Sequence, residues 1–233
     1  MTREAFIQSL FTTYAPVSTL SEKNGGKVLR LRNRNTLQDM ILRSYPTRLE
    51  AYEILCDIRC ENLPEVYDAF LVDDGQIVLE EFIDGITVAD VMQSGKYRYR
   101  GAKKVLGDIC NALAVLHERG IIHRDIKPEN VMIDKNGRVV LIDFNTSRKE
   151  SLIGKDTVIM GTVGYASPEQ LGLLETDART DIYAAGVLLN VMLTGKHPTA
   201  AFAPGRAGRI VRKCTALNPN DRYQSASKLA VAL

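Results

Sequence analysis

The stretch "IIHRDIKPENVMID", Ile121 to Asp134, decides how the rest of the chain is read. Two apolar runs, at 121–122 and 131–133, bracket a mostly polar segment of eight residues. His123, Arg124, Asp125, Lys127 and Asn130 crowd into it. An ordinary surface loop can have such a composition. Asp143 weakens that bland reading. It ends the run "VVLID", thirteen residues beyond Asn130, and "KNG" at 135–137 supplies a tight turn between the two runs. Two short strands joined there bring Asn130 and Asp143 to the same end of a hairpin. An amide oxygen and a carboxylate converging in this way make a hard-oxygen site suited to Mg²⁺. Asp125, on the preceding loop, stands free of the metal as a candidate base. Lys127 is a compact positive charge suited to a transferred phosphate.

Outward from this stretch the chain changes character. "GAKKVLGDICNALAVLHERG", 101–120, is an amphipathic helix with Val105, Ile109, Ala112, Leu113 and Leu116 on one side and Gly120 at its stop. "TDIYAAGVLLNVMLTG", 180–195, is almost wholly apolar, as a helix buried on all sides must be, and "SASKLAVAL" ends the chain as a short helix. Before residue 84 the pattern is that of strands. "KVLRLRN" and "LQDMILRSY" read as a hairpin, and "YDAFLVDDGQIVLEEFI" as a second one turning at Asp74–Gly75. Between them "TRLEAYEILCDI" reads as a helix, with Thr47 and Glu50 spaced as a capping box. The expectation is an α+β chain in two lobes: a β-rich one over 1–83 with one short helix, and a larger helical one over 84–233.

Bulk properties exclude several classes. The 233 residues are 45% hydrophobic, with 30 basic and 28 acidic side chains and a net charge of +2. That balance gives no reason to expect nucleic acid or an anionic membrane as the main partner. No apolar run is long enough to span a bilayer, and "MTREAFIQSLFTTYAP" lacks the apolar core of a signal peptide. Cys56, Cys60, Cys110 and Cys214 are scattered without a CxxC pair; Cys56 and Cys60 are one helical turn apart. Reduced thiols in a cytoplasmic protein explain them.

"HRDIKPEN" followed by "DF" resembles the catalytic loop and metal-binding motif of eukaryotic-like (Hanks-type) Ser/Thr protein kinases. "GTVGYASPEQ" resembles that family's peptide-positioning segment, with Ser167-Pro168-Glu169 for the usual Ala-Pro-Glu. "DIYAAGVLL" resembles the buried helix whose first aspartate, here Asp181, holds the catalytic loop. "NPNDRY" resembles the late element that pairs Arg222 with Glu169. The resemblance spans nearly the whole chain and implies a compact, bacterial-type kinase fold that transfers phosphoryl from ATP to a Ser/Thr hydroxyl of a protein. It implies Asp125 as the residue that orients the hydroxyl, with Asp143 and Asn130 holding Mg²⁺. Lys127 would steady the transferred group, and Thr162 would complete the contacts around Asp125. It implies Gly26, Val28, Arg43, Glu81 and Ile83 as nucleotide contacts. Arg124 would answer a phosphorylated loop, with Thr157 favoured among Thr146, Ser147, Ser151 and Thr157. "KLAVAL" stands where the family's kinase domain ends, which leaves room for further domains.

The departures are specific. "LSEKNGGKV" puts Ser21 and Lys23 at the first two glycine places of the phosphate-covering loop. Arg43 stands where the family has a strand lysine, Ala51 where it has the lysine's glutamate partner, and Glu80 at a usually apolar position. An Arg43–Glu80 pair is expected, because a lone carboxylate buried there costs several kcal/mol (on the order of 3–5). Asn145 replaces the glycine after Asp143-Phe144, as a residue that tolerates left-handed angles. Little sequence separates "GKHP" from "IVRKC", so one family helix is missing or short. A pseudokinase or nucleotide-binding scaffold is the second reading. A small-molecule phosphotransferase, which lacks the "GTVGYASPE" element, is the third.

Overall fold

The computed structural model describes residues 1–23, 25–149, 162, 164–171 and 175–233. They form two compact units, Met1–Cys60 with Pro64–Ile83, and Glu61–Leu63 with Asp84–Leu233. The architecture is α+β, an antiparallel sheet in the first unit and mainly helices in the second.

The first unit opens with helix α1 (Arg3–Leu10), then strands β1 (Tyr14–Lys23), β2 (Gly26–Asn33) and β3 (Asp39–Tyr45). Helix α2 (Glu50–Leu55), β4 (Val66–Val72) and β5 (Gly75–Glu81) follow. The sheet order is β1-β2-β3-β5-β4, all neighbours antiparallel. Alternate residues Leu29 and Leu31 of β2 join Leu42, Ile77 and Leu79 in one buried cluster, and Ile7 of α1 joins them. Phe6 of α1 stacks on Phe70 with centroids 4.8 Å apart. Neither α1 nor β1 is evident from the sequence, because an eight-residue helix is stabilised by the sheet it covers rather than by its own propensity.

Three local expectations are corrected. The capping box at Thr47 and Glu50 does not form. α2 starts at Glu50, and Leu49 at its N-cap has no side-chain cap. The Leu49 N–H instead donates to Gln76 Oε1 at 2.8 Å, with Leu49 in an extended conformation. The second hairpin turns at Asp73–Asp74, since Val72 pairs with Gly75. Gly75 has φ +149°, and a Cβ there would lie 1.9 Å from the Tyr45 carbonyl oxygen. Cys60 lies beyond the end of α2, so it shares no helix face with Cys56; all four cysteines are free thiols.

The second unit contains β6 (Gly85–Thr87), α3 (Val88–Gln93), α4 (Tyr99–Glu118) and β7 (Ile121–Ile122). Then come β8 (Val131–Asp134), β9 (Val139–Leu141), β10 (Arg148–Lys149), α5 (Ala178–Thr194), α6 (Gly205–Cys214) and α7 (Ala226–Ala232). α4 buries Val105, Ile109, Ala112, Leu113 and Leu116, the predicted stripe. α5 is buried along most of its length, and Gly195 ends it in the left-handed conformation with φ +69°. No described helix lies between α5 and α6. No helix of the described residues is long and apolar enough to cross a membrane.

Candidate active site

The polar loop of 123–130 is held between two strands. β7 before it pairs with β10, and β8 after it pairs with β9. Its backbone is anchored from α5. Asp181, fully buried, accepts the His123 N–H at 2.9 Å through Oδ2 and the Arg124 N–H at 2.8 Å through Oδ1. His117 Nε2 lies 2.8 Å from Oδ2 of the same carboxylate. Burial by itself pushes Asp181 up. The His117 hydrogen bond and charge, His123 and the Arg124 N–H outweigh it and hold the carboxyl below its usual range. Gln170 Nε2 donates to the Arg124 carbonyl at 2.8 Å. His117 and Gln170 carry no local sequence signal for this role; only the packing of α4 and the 168–171 turn against the loop reveals it.

His123 is itself buried, and burial depresses its pKa despite the nearby carboxylates of Asp181, Asp143 and Asp125. Its ring Nδ1 lies 3.3 Å from the Asp125 N–H and its Nε2 lies 3.2 Å from the Ile142 carbonyl. The neutral tautomer with hydrogen on Nε2 satisfies both contacts.

Asp125 is the centre of the loop. Lys127 Nζ donates to its Oδ2 at 2.6 Å, and Thr162 Oγ1 donates to its Oδ1 at 2.7 Å. Lys127 also donates to Thr162 Oγ1 at 2.8 Å, which closes a triangle. Asn130 Nδ2 donates to the Asp125 backbone carbonyl at 2.8 Å and to Oδ2 at 2.9 Å. Burial pushes the Asp125 carboxyl up; hydrogen bonds from Lys127 and Thr162, the Lys127 charge and His123 overcome this, so it lies below its ordinary value. The predicted neighbours Asp125, Lys127, Asn130 and Thr162 thus come together.

Asp143 lies two residues beyond the end of β9. The Ile142 N–H donates to the Asn130 carbonyl at 2.9 Å, so Asp143 follows the residue that pairs with Asn130. With its amide nitrogen committed to Asp125, Asn130 presents Oδ1 as its remaining polar atom, the kind of oxygen Mg²⁺ takes. The described residues contain no cluster of three or more His, Cys, Asp or Glu that suits a metal. One carboxylate and one amide oxygen, with phosphate oxygens and water completing the shell, fit Mg²⁺ rather than a metal needing an all-protein cage. Asn145 tolerates left-handed angles but does not adopt one here. Asp143 and Arg124 do, both at φ 70°, so the bend lies two residues earlier.

Further from the loop, Glu169 and Arg222 form the expected pair. Arg222 Nη1 and Nη2 donate to the two carboxylate oxygens at 2.6 and 2.9 Å, and both side chains are buried. Thr146 Oγ1 lies 3.2 Å from the His123 carbonyl, to which it donates. Thr157 and Ser151 fall outside the described residues.

In the first unit, Arg43 Nε donates to Glu80 Oε1 at 2.5 Å, with both residues buried. β3 and β5 run side by side, and Glu80 is two residues from Val78, the cross-strand partner of Arg43. Val28 is the partner of Arg43 on β2, and Gly26 begins that strand with its Cα so near β3 that a Cβ would lie 2.9 Å from the Ser44 carbonyl. On α2, Glu53 accepts two hydrogen bonds from Arg48, both at 2.6 Å. Glu81 and buried Ile83 lie at the end of β5 and just beyond it.

The protein kinase domain model matches residues 21–229 of the chain. The chain belongs to the protein kinase family. It is 33% identical over 184 residues to the serine/threonine-protein kinase PknB of Mycolicibacterium smegmatis, covering 67% of this chain and 29% of that one. It is 34% identical over 194 residues to a probable serine/threonine-protein kinase of Clostridium perfringens, covering 72% and 28%. A probable serine/threonine-protein kinase of Corynebacterium efficiens is 31% identical over 208 residues, covering 74% and 32%. This kinase domain is thus of the bacterial Hanks type, and it spans less than a third of the length of these relatives.

Proposed function

We propose that this kinase domain transfers the γ-phosphoryl group of ATP to a serine or threonine hydroxyl of a protein. The observation that carries the reading is the closed triangle of Asp125, Lys127 and Thr162, with Asn130 also donating to Asp125 Oδ2. An acceptor hydroxyl brought to Asp125 meets a carboxylate kept ionised at neutral pH. Asp125 aligns the hydroxyl and takes its proton as the oxygen attacks phosphorus and the bond to ADP breaks. Lys127 lies 2.6 Å from that carboxylate, where its charge steadies both the base and the phosphoryl oxygens. Asp143 and Asn130 would hold Mg²⁺, whose chemistry is to neutralise charge on the phosphates. Gly26, Val28, Arg43, Glu81 and Ile83 would line the nucleotide. Four free cysteines fit a reducing, cytoplasmic setting.

A second reading, a nucleotide-binding or scaffolding pseudokinase, is favoured by one observation. Arg43, at the strand-lysine position, is ion-paired with Glu80. Radiolabelled ATP with Mg²⁺ and generic protein acceptors separates the two. Transfer by the wild type that disappears in D125A, with nucleotide binding kept, supports the kinase. Nucleotide binding with no transfer beyond the level of D143N supports the scaffold.

A further inference from the structure

Arg3 lies on the first turn of α1, far in sequence from every motif of the kinase domain. Its contacts join two turns at one end of the five-stranded sheet. Its backbone N–H donates to Asp74 Oδ1 at 2.6 Å, and its Nε lies at ion-pair distance, 3.3 Å, from Asp74 Oδ2. Its Nη1 donates to the Gly25 carbonyl at 2.7 Å. Asp74 belongs to the β4–β5 turn and Gly25 to the β1–β2 turn. The C-terminal end of β3 lies between them, since Ser44 pairs with Lys27 on one side and Tyr45 with Gln76 on the other.

The local chemistry supports a built bridge rather than a chance surface contact. Asp74 satisfies one of the N–H groups that the first turn of α1 leaves open. Thr2 caps the same turn by accepting the Ala5 N–H at 3.3 Å. Gly75 makes room: a Cβ at that position would lie 3.0 Å from the Arg3 Cδ. α1 is fixed on the sheet by buried Ile7 and by the Phe6–Phe70 stack. At the other end, Gly25 adopts φ +72°, a left-handed angle that suits glycine.

The turn that Arg3 holds is the tip of the loop that resembles the kinase phosphate-covering loop. Ser21 and Lys23 fill the first two glycine places, and the ladder runs unbroken through Ser21–Val28, Glu22–Lys27 and Lys23–Gly26. Gly25 lies just beyond the last pair of this ladder. Strand pairing fixes the shape of this hairpin, and β1 is the edge strand of the sheet. The Arg3 guanidinium ties the tip, through Gly25, to the β4–β5 turn on the far side of β3.

We propose that Arg3 is a positioning residue that holds the β1–β2 tip in place, so that this loop meets the phosphates of a nucleoside triphosphate already ordered. The inference rests on the reading of that loop as a nucleotide cover. An ordered loop loses less conformational freedom on binding, which offsets the lost flexibility of the missing glycines. Arg3 touches no reacting atom, so its effect falls on nucleotide affinity rather than on the chemical step.

The test compares wild type with R3A, R3K and I7V by amide hydrogen exchange and by ATP kinetics and binding. R3A is expected to exchange faster across residues 23–28, with protection in the second unit unchanged. Its KM and Kd for ATP should rise several-fold, while kcat stays within twofold. R3K, which keeps the charge but cannot reach both turns with one fork, should recover part of the affinity. I7V loosens α1 without touching Gly25, and should lower Tm while leaving exchange at 23–28 and KM in place. Unchanged exchange at the tip in R3A, an unchanged or lower Kd, or an I7V protein that shifts KM as R3A does would overturn the role of Arg3. Wild type that binds no ATP would sink the nucleotide reading itself, and this inference with it.

Discussion

Arg43 donates to Glu80 across the centre of the sheet at 2.5 Å, with side chains 11% and 3% exposed. The pair sits where the resemblance places a lysine and an apolar residue. The two exchanges are therefore coupled: the guanidinium compensates the buried carboxylate. Breaking a buried pair from one side leaves a desolvated charge, whereas replacing both partners by apolar groups is much milder. E80M should thus lower stability by about 3 kcal/mol in urea titration, and R43M/E80M by clearly less. ATP affinity of E80M should also differ from wild type. A double variant no more stable than E80M would overturn this expectation.

The carboxyl of Asp125 is held low by donors, against the upward push of burial. Its folded pKa lies below its unfolded value, so its contribution to stability is present above about 3.9. That contribution is lost as pH falls through the folded value. Removing a principal donor should move the titration upward. In K127A the Asp125 carboxyl, followed by carbon-detected NMR, is expected to titrate at higher pH than in wild type. The acidic limb of the rate profile should move the same way in whatever activity remains.

Asp181 receives two backbone N–H groups of the catalytic loop on separate oxygens. D181N keeps the shape but turns one acceptor into a donor, facing an N–H. Hydrogen bonds to a charged partner contribute about 1.5–3 kcal/mol each, and D181N should lose at least one of them. Transfer rate should fall more than tenfold, while Kd for ATP changes little, because Asp181 shapes the loop rather than the nucleotide contacts. Equilibrium binding beside single-turnover rates would measure this split.

Glu169 and Arg222 are joined by two hydrogen bonds, and the arginine side chain is fully buried. Arg222 also donates to the carbonyls of Arg179, Ala216 and Leu217. R222A leaves a carboxylate and three carbonyls short of their donor, so a loss of about 3–5 kcal/mol is expected. R222K should recover little of it, since one ammonium cannot reproduce the planar fork. Chemical unfolding of the three proteins checks the order.

Gly186 lies within α5, where a Cβ would approach Cys214 Cβ of α6 to 2.2 Å. G186A should cost about 1–3 kcal/mol by overpacking, although alanine is the better helix former. The further variant G186A/C214A removes only the sulfur and keeps the clashing Cβ, so it should recover little. Thermal unfolding of the pair distinguishes a backbone clash from a rotamer that can move aside.

The sequence by itself determined the polar loop between two apolar runs, the two hairpins and the buried helix, and its resemblance to the kinase family pointed to Asp181 and Arg222. Each is written in short stretches whose periodicity or residue types are constrained locally, as "HRDIKPEN" and "DIYAAGVLL" are. It also exposed Arg43 and Glu80 as misfits that needed one another. Only the tertiary structure decided which local options prevailed. Gln76, 27 residues from Leu49, takes the N–H at the helix entry, so the cap written in Thr47 and Glu50 is not formed. The left-handed bend lies at Asp143 rather than at Asn145. α1 exists because a sheet surface waits for Ile7 and Phe6, and Arg3 reaches Gly25 across the end of that sheet. Such contacts depend on distances between segments far apart in the chain, which spacing and composition along it do not encode.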